Sequence, residues 1–358
     1  GAGGADGADG ADGNGGRAAN TAGTAGVASC ERVGFDVGLS VDCATLCGIA
    51  YHSAAAQKSA AERAAVTARV EADLGARRLE LFAEVVDEAT DGYAMIAHNE
   101  TDVFVVFRGS CSLRHVLTDI DYYPDRDAMA AYSAEAALDL PPDAHVHKGF
   151  LEAWRALRAP VLANVEALVS RHVLLAADGR PPRRLALHVT GHSMGGALAL
   201  LASLELRQQA SRRRHAPFGA HHTYTYAAPR LGNRAFAHFF SASFPRADQH
   251  WALQAASDAV PHLPFAAWGF QHPGGVLKLG RPRPRRSGDP GDTVDFLRPK
   301  EGKLANWVGS HDLSAYLAQI HQLAGVADDA PPPPAGAERD GTGAPFGLEC
   351  DVLGLACG

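Results

Sequence analysis

The feature that most constrains the fold of this chain is residues 190–196 (TGHSMGG), a glycine-rich turn centred on Ser193. The turn follows an apolar run at 185–189 and precedes a helical pattern at 197–209. A strand, a Gly-x-Ser-x-Gly turn and a helix in that order are typical of a nucleophile elbow, where the start of the helix favours negative charge. The segment therefore predicts Ser193 as a nucleophile. The alternative is a glycine-rich turn with an ordinary capping serine.

Short apolar or β-branched runs alternate with helical patterns through the middle of the chain. This alternation predicts an α/β fold, a mostly parallel central sheet with helices on both faces, and active sites of such sheets lie at the carboxyl ends of the strands. Pro160 is expected to break or kink what would otherwise be one long helix. The predicted strands are Asp102–Phe107, 185–189, 223–227 and 251–255, with Val276–Leu279 and 293–297 as further possibilities, and the predicted helices are 54–74, 150–157, 161–176, 197–209 and 312–323.

Composition divides the chain into one folded body and flanking segments. With 358 residues, 46% of them hydrophobic, the chain is long enough to bury a sizeable core. Residues 1–27 are rich in Gly, Ala and Asp and lack apolar periodicity, so disorder is expected there. The folded domain is expected over 28–325, followed by a proline-rich linker at 326–345 and a cysteine-containing tail at 346–358.

The overall charge and hydropathy argue against nucleic-acid binding and against a membrane-spanning helix. The formal net charge is −7, so no basic field points to nucleic acid. No apolar run approaches the roughly 20 residues that a membrane-spanning helix needs, and no transmembrane segment is expected. The oligomeric state is left open.

Cysteine usage favours an oxidising compartment, such as the extracellular space or an organellar lumen. A Cys43–Cys47 bridge and a second bridge from the N-terminal segment to the tail would suit such a compartment, and Cys111 is expected to be a buried free thiol. The spacing matches no zinc site, so no metal is predicted. The six cysteines are Cys30, Cys43, Cys47, Cys111, Cys350 and Cys357.

A serine hydroxyl needs a base that is itself oriented by an acid. In folds with such an elbow the acid follows the serine along the chain and the histidine comes last. Asp258 stands just past the predicted strand 251–255, and His311 stands in the loop before the helix 312–323. These positions favour Asp258 as the acid and His311 as the base. The weaker alternatives are Asp289, Asp292 and Asp295 for the acid and His262, His272 and His321 for the base.

An oxyanion hole needs one donor beside the serine and one from the loop after an earlier strand. Met194 follows Ser193, and its backbone N–H is the first candidate. Ser110 follows the strand Asp102–Phe107 and could donate its backbone N–H and its hydroxyl. A simple strand-ending turn at 108–110 is the alternative.

Several segments in the same order resemble the fungal-type class 3 lipases, which are α/β-hydrolases acting on carboxylic esters. The resemblance spans about residues 48–320, most of the expected folded body. The matching segments are 107–110 (FRGS), 146–150 (VHKGF), 191–196 (GHSMGG), 226–233 (YAAPRLGN) and 258–261 (DAVP), with a weaker one at 270–274 (FQHPG).

The resemblance implies an α/β-hydrolase fold that cleaves fatty-acyl esters of acylglycerols through an acyl-enzyme, without a cofactor. It implies the same nucleophile, acid, base and oxyanion donors, namely Ser193, Asp258, His311, Ser110 and Met194. Two alternatives stay open: hydrolysis of phospholipids, galactolipids or soluble esters, and a catalytically silent binding protein, against which the intact site segments argue.

The family also implies a helical lid after the oxyanion loop, over residues 111–122. Its apolar face would comprise Leu113, Val116, Leu117 and Ile120, which recur at helical spacing. An ordinary surface helix is the alternative, and the lack of a tryptophan there argues against strong interfacial activation.

Residues 128–140 are interpreted as a helical part of the substrate cleft or an inserted surface hairpin. The basic loop 281–286 (RPRPRR) could bind anionic headgroups, although a solvated insertion is the commoner case.

Overall fold

The computed structural model describes residues 34–52, 60–110, 126–175, 184–212, 217–280 and 311–323. Within them the strands are β1 Glu80–Asp87, β2 Gly92–His98, β3 Asp102–Phe107, β4 Leu185–His192, β5 Phe218–Tyr226, β6 Gly232–Asn233, β7 His250–Ala255, β8 Phe270–Gln271 and β9 Val276–Leu279. Seven of these strands form one sheet through the centre of the molecule, in the order β1-β2-β3-β4-β5-β7-β9. Strands β3, β4, β5, β7 and β9 are parallel, β1 and β2 extend the sheet as antiparallel strands, and β6 and β8 form a separate antiparallel pair.

Helices cover both faces of this sheet, and each face has its own hydrophobic core. The helices are α1 Val37–Tyr51, α2 Ala60–Gly75, α3 Arg126–Ala136, α4 Lys148–Leu175, α5 Met194–Ser211, α6 Arg234–Ser243 and α7 Leu313–Leu323, with short 3₁₀ turns at Val260–His262 and Ala266–Trp268. One core contains side chains of α3, α4, α5 and α6, and the other contains side chains of α1, α2 and α7. The predicted α/β architecture is therefore confirmed.

The parallel strands bring the candidate residues to one edge of the sheet. In the β3–β4 ladder Phe107 pairs with Gly191, and in the β4–β5 ladder His192 pairs with Tyr226, so these strands end at the same level. The segments that follow β3, β4 and β7 carry Ser110, Ser193 and Asp258 in turn. This common edge is where the carboxyl ends of parallel strands create a site.

The sequence predicts a break or kink at Pro160, and the break is wrong because the helix continues through it. Helix α4 continues through Pro160, and the predicted helices 150–157 and 161–176 are one element. Proline removes one backbone hydrogen bond and costs about 3 kcal/mol in a helix interior. Leu157, Val161 and Val165 are buried in the core on either side of it, and that burial offsets the loss.

The predicted Cys43–Cys47 bridge is wrong, because both cysteines are free. They lie one turn apart on the buried face of α1, where both side chains pack against the sheet. The Cys47 thiol contacts Thr190 Oγ1 of β4 at 3.5 Å. Burial raises the pKa of both thiols, so they behave as small apolar side chains.

Residues 128–140 include most of α3, whose Met129 and Tyr132 are buried in the same core as α4 and α5. The helix ends where Ala137 adopts a φ of 49°. Among the described residues, no helix combines the length and apolar character that crossing a bilayer requires.

Candidate active site

The elbow is a strained turn between β4 and α5. Ser193 separates the two elements with φ 56° and ψ −127°, a conformation that costs a non-glycine residue on the order of 1–3 kcal/mol. Its backbone N–H donates to Tyr226 O of the neighbouring strand at 2.9 Å, and its carbonyl accepts from Gly196 N at 3.0 Å. The strand on one side and the helix on the other hold the strained residue in place.

The two glycines beside Ser193 are required by close approach of the backbone. A Cβ on Gly191 would lie 2.2 Å from Gly195 O, and a Cβ on Gly195 would lie 2.3 Å from Phe107 O. Neither distance is possible for a real side chain, and the obstacle in both cases is backbone. The Gly-x-Ser-x-Gly pattern is therefore a packing requirement of the strand–turn–helix crossing.

Three side chains from distant parts of the chain form a continuous hydrogen-bonded line. His311 Nε2 lies 3.0 Å from Ser193 Oγ, and His311 Nδ1 lies 2.9 Å from Asp258 Oδ2. Each of the three residues is at most 4% exposed. With Nδ1–H donating to the carboxylate, Nε2 is free to accept the serine proton, which is the arrangement that general-base activation needs.

Asp258 is held by two further hydrogen bonds. Tyr316 Oη, on α7, donates to Asp258 Oδ2 at 2.7 Å, and Val260 N donates to Oδ1 at 2.9 Å. The Tyr316 hydroxyl in turn accepts from Ala255 N at 2.9 Å. Burial, reinforced by the Asp258 charge, raises the pKa of Tyr316, so the phenol stays a donor. Sequence reasoning missed Tyr316, which lies on the helix that follows His311.

His192, inside the elbow motif, also contacts the predicted base. Its Nε2 lies 2.9 Å from the backbone carbonyl of His311, and its Nδ1 lies 2.8 Å from Tyr51 Oη at the end of α1. The His192 and His311 rings are 4.9 Å apart between centroids. Burial lowers the pKa of His192 to about 3, so the ring is neutral.

The loop after β3 lies directly against Ser193. A Cβ on Gly109 would be 2.1 Å from Tyr51 Oη and 3.0 Å from Ser193 Cβ, so the Gly109 backbone adjoins the serine. Ser110 follows immediately, and Met194 begins α5 on the other side of the serine. The backbone segments carrying both predicted oxyanion donors therefore flank Ser193.

A carboxylate from the β1–β2 turn supports this loop. Asp91 Oδ1 accepts from Arg108 Nη2 at 2.6 Å, and the Asp91 carbonyl accepts from the same nitrogen at 3.0 Å. Ser110 Oγ reaches Asp91 Oδ2 at 3.5 Å, a long contact. Arg108 is 3% exposed and lies over the Tyr93 ring, so it is a structural side chain behind the loop. No local sequence signal connects Asp91 with a loop so far along the chain.

The other histidine candidates have different contacts. His272 Nε2 donates to Pro261 O at 2.7 Å, and the His262 carbonyl accepts from Arg230, so both belong to the folded segment after Asp258. His321 lies in the last turn of α7.

Several predictions fall outside the described residues. They are Cys30, Cys111, Cys350, Cys357, Asp289, Asp292, Asp295, the lid residues Leu113, Val116, Leu117 and Ile120, the strand 293–297 and the loop 281–286.

This chain is similar in sequence to known lipases. The family model of Lipase (class 3) matches residues 104–268, from β3 to the 3₁₀ turn at Ala266–Trp268. The chain is 33% identical over 189 residues to the lipase of Rhizomucor miehei, covering 51% of this chain and 44% of that protein. It is 31% identical over 180 residues to the secreted mono- and diacylglycerol lipase 1 of Fusarium solani, covering 50% and 44%. The matches thus span less than half the length of these curated relatives.

Among solved structures, lipase II from Rhizopus niveus superposes with a TM-score of 0.51 at 22% identity, over 68% of this chain and 82% of that one. This likeness supports the fold alone. The family model and the sequence identities show similarity to lipases over about half of the chain. Over residues 104–268 the chain is similar to the class 3 lipases, and the relatives it matches are fungal lipases.

Proposed function

We propose that this protein is a serine carboxylic-ester hydrolase that cleaves fatty-acyl esters of acylglycerols. The observation that carries the proposal is the hydrogen-bonded line from Ser193 Oγ through His311 to Asp258, at 3.0 and 2.9 Å. The substrate class is supported by the relatives, which are named lipase and secreted mono- and diacylglycerol lipase. The partner in this proposal is a lipid ester substrate.

In the first half of the reaction Ser193 Oγ attacks the ester carbonyl carbon while His311 Nε2 takes its proton. Asp258 stabilises the resulting imidazolium through Nδ1–H. The carbonyl oxygen gains negative charge and accepts hydrogen bonds from the backbone N–H groups of Ser110 and Met194. Donors of this kind are worth about 3–4 kcal/mol each in a transition state. His311 then gives its proton to the departing alcohol oxygen, which leaves an acyl-enzyme.

In the second half water replaces the alcohol. His311 takes a proton from the attacking water, and the hydroxide oxygen bonds to the acyl carbon. When the second tetrahedral intermediate collapses, His311 returns the proton to Ser193 Oγ, and a fatty acid leaves. The free enzyme is regenerated without any further group.

A serine-directed phosphonate tests the chemistry. We expect stoichiometric labelling of the native protein and loss of both labelling and ester hydrolysis in Ser193→Ala. Labelling that persists in Ser193→Ala would contradict the assignment of the nucleophile. An intact, folded protein that hydrolyses no ester would favour the silent binding protein.

A substrate panel tests the acylglycerol assignment. Emulsified tri- and diacylglycerols, phospholipid vesicles and a short soluble ester are compared at equal enzyme concentration. We expect the highest kcat/KM on the acylglycerols. A higher value on phospholipid or on the soluble ester would overturn the substrate class while leaving the serine mechanism intact.

A further inference from the structure

We propose that His192 is a positioning residue for the base: its imidazole anchors the backbone of His311 so that the His311 ring reaches Ser193. This role rests on the proposed function, since it concerns the same catalytic line. His192 is the last residue of β4 and is 4% exposed. A rigid central strand therefore supplies the anchor for a histidine that precedes the last described helix.

The hydrogen bonds of His192 define its tautomer. A backbone carbonyl can only accept, so the 2.9 Å contact with His311 O requires a proton on His192 Nε2. In a neutral ring Nδ1 then carries a lone pair, and the Tyr51 hydroxyl donates to it at 2.8 Å. The sequence of donors is Tyr51 Oη–H to His192 Nδ1, and His192 Nε2–H to His311 O. Tyr51 thus selects the tautomer that can hold His311.

The environment keeps His192 neutral during turnover. Its ring lies 4.9 Å from the His311 ring, which becomes a cation when it accepts the serine proton. Burial and the nearby His311 both disfavour a charge on His192. The anchor therefore keeps its hydrogen bond in both protonation states of the base, because no proton of its own is exchanged.

The anchor acts on the backbone and leaves both ring nitrogens of His311 free for chemistry. His311 Nε2 faces Ser193 and Nδ1 faces Asp258, while the carbonyl is held from the side of the elbow. The serine and the support of its base are consecutive residues, His192 and Ser193. A shift of the strand end therefore moves both together and preserves their separation.

Kinetics of three variants test this role. His192→Phe keeps a ring and removes the donor. His192→Gln places an amide nitrogen near the position of Nε2, and His192→Asn is polar but too short to reach the carbonyl. On a soluble ester we expect His192→Phe and His192→Asn to lower kcat by about 100-fold with KM changed less than about 3-fold, since a misplacement of roughly 1 Å costs about that much. His192→Gln should recover at least about 10-fold of the loss.

Phosphonate labelling of Ser193 should slow in proportion to kcat, and circular dichroism verifies that each variant is folded. Equal kcat in His192→Gln and His192→Asn overturns the proposal, as does a wild-type kcat in His192→Phe. If His192→Phe does not fold, the comparison of Gln with Asn decides. Hydrolysis that survives Ser193→Ala instead contradicts the proposed function and not the positioning role.

A measurement on the native protein is independent of any variant's folding. In ¹⁵N-histidine-labelled protein, we expect the His192 ring to show the neutral Nε2–H tautomer at pH 7, with its signals assigned by their loss in His192→Gln. A neutral Nδ1–H tautomer or a protonated ring at that pH overturns the proposal.

Discussion

At the scale of single residues, the elbow glycines are the positions with the least tolerance. We expect Gly191→Ala to destabilise the protein by about 1–3 kcal/mol or more, because its Cβ would overlap Gly195 O. Gly75→Ala is the matched control, since a Cβ there meets nothing within 4 Å, and it should stabilise by about 0.4–1 kcal/mol. Urea unfolding of both variants measures the difference. Equal midpoints would show that the elbow backbone can adjust.

Substitutions at Asp258 and Tyr316 distinguish the contribution of the carboxylate from that of the hydroxyl that donates to it. Asp258→Asn should lower kcat by roughly 10⁴-fold, because an amide at Oδ2 no longer selects the Nδ1–H tautomer of His311. Tyr316→Phe removes the donor to Asp258 Oδ2 and the acceptor of Ala255 N but keeps the Asp258–His311 hydrogen bond, so we expect a smaller loss of kcat and about 1–3 kcal/mol of stability. Steady-state kinetics and thermal unfolding check the pair. A loss of kcat in Tyr316→Phe as large as that of Asp258→Asn would contradict this ranking.

Sequence reasoning selected the residues that the structure brings together, because motif and chain order limit the choice. Ser193 was identified by the glycines around it, and Asp258 and His311 by their positions at element ends. The supports Tyr316, Tyr51 and Asp91 were not identified. Their contacts with Asp258, His192 and Arg108 depend on how helices and turns cross in three dimensions, which the local sequence pattern does not encode.

At the scale of elements, the strands in the centre of the sheet were predictable and its antiparallel end was not. Strand β3 has the predicted bounds, β4 and β7 contain the predicted strands 185–189 and 251–255, and β5 contains all of the predicted strand 223–227 except its last residue. Strand β2 (GYAMIAH) is buried on both faces, so it lacks polar alternation, and its Ala and Met residues equally favour a helix. Helix α1 has an almost uniform distribution of apolar residues and gives no clear helical stripe.

A buried carboxylate ties α4 to α5. Glu205 is 1% exposed and accepts from Arg158 Nε at 2.9 and 2.7 Å and from Trp154 Nε1 at 2.7 Å. Burial raises the pKa of Glu205. Removing its cationic partner leaves a buried charge without compensation, which costs about 3–5 kcal/mol in comparable cases.

We therefore expect Arg158→Met to lower the free energy of unfolding by about that amount at pH 8. The loss should be smaller at pH 5, because protonation of Glu205 removes the uncompensated charge. The double variant Arg158→Met with Glu205→Met should recover most of the stability. Denaturant titrations at both pH values test this, and a pH-independent loss would contradict the explanation.

At the scale of the whole molecule, buried histidines make stability depend on pH. His192, His221 and His250 are each at most 7% exposed, and burial lowers their pKa values to about 3, 3 and 4. In the unfolded chain they take up protons below about pH 6.5. The unfolded state then binds more protons than the folded state, so stability is complete above that pH and falls as the pH decreases toward 4 and 3.

Between pH 7.5 and pH 5 we expect the free energy of unfolding to fall by up to roughly 6 kcal/mol, about 2 kcal/mol per histidine. Chemical denaturation across this range measures the slope. His221→Leu should remove about one third of the effect, since that ring packs on Phe244 and Nε2 has no hydrogen-bond partner in the described part of the chain. If the free energy of unfolding of His221→Leu falls with pH as steeply as that of the native protein, burial of His221 is not a cause of the pH dependence.

The candidate site draws on both faces of the sheet. The helix that begins after Ser193 belongs to one core, whereas Tyr316, which holds Asp258, belongs to the other. The alignment of Ser193, His311 and Asp258 thus depends on the helices on both faces of the sheet. Loosening the helices on either face alone would break the hydrogen-bonded line. On heating, loss of turnover should consequently precede the cooperative melting of secondary structure, so that activity reports the earliest separation of the layers.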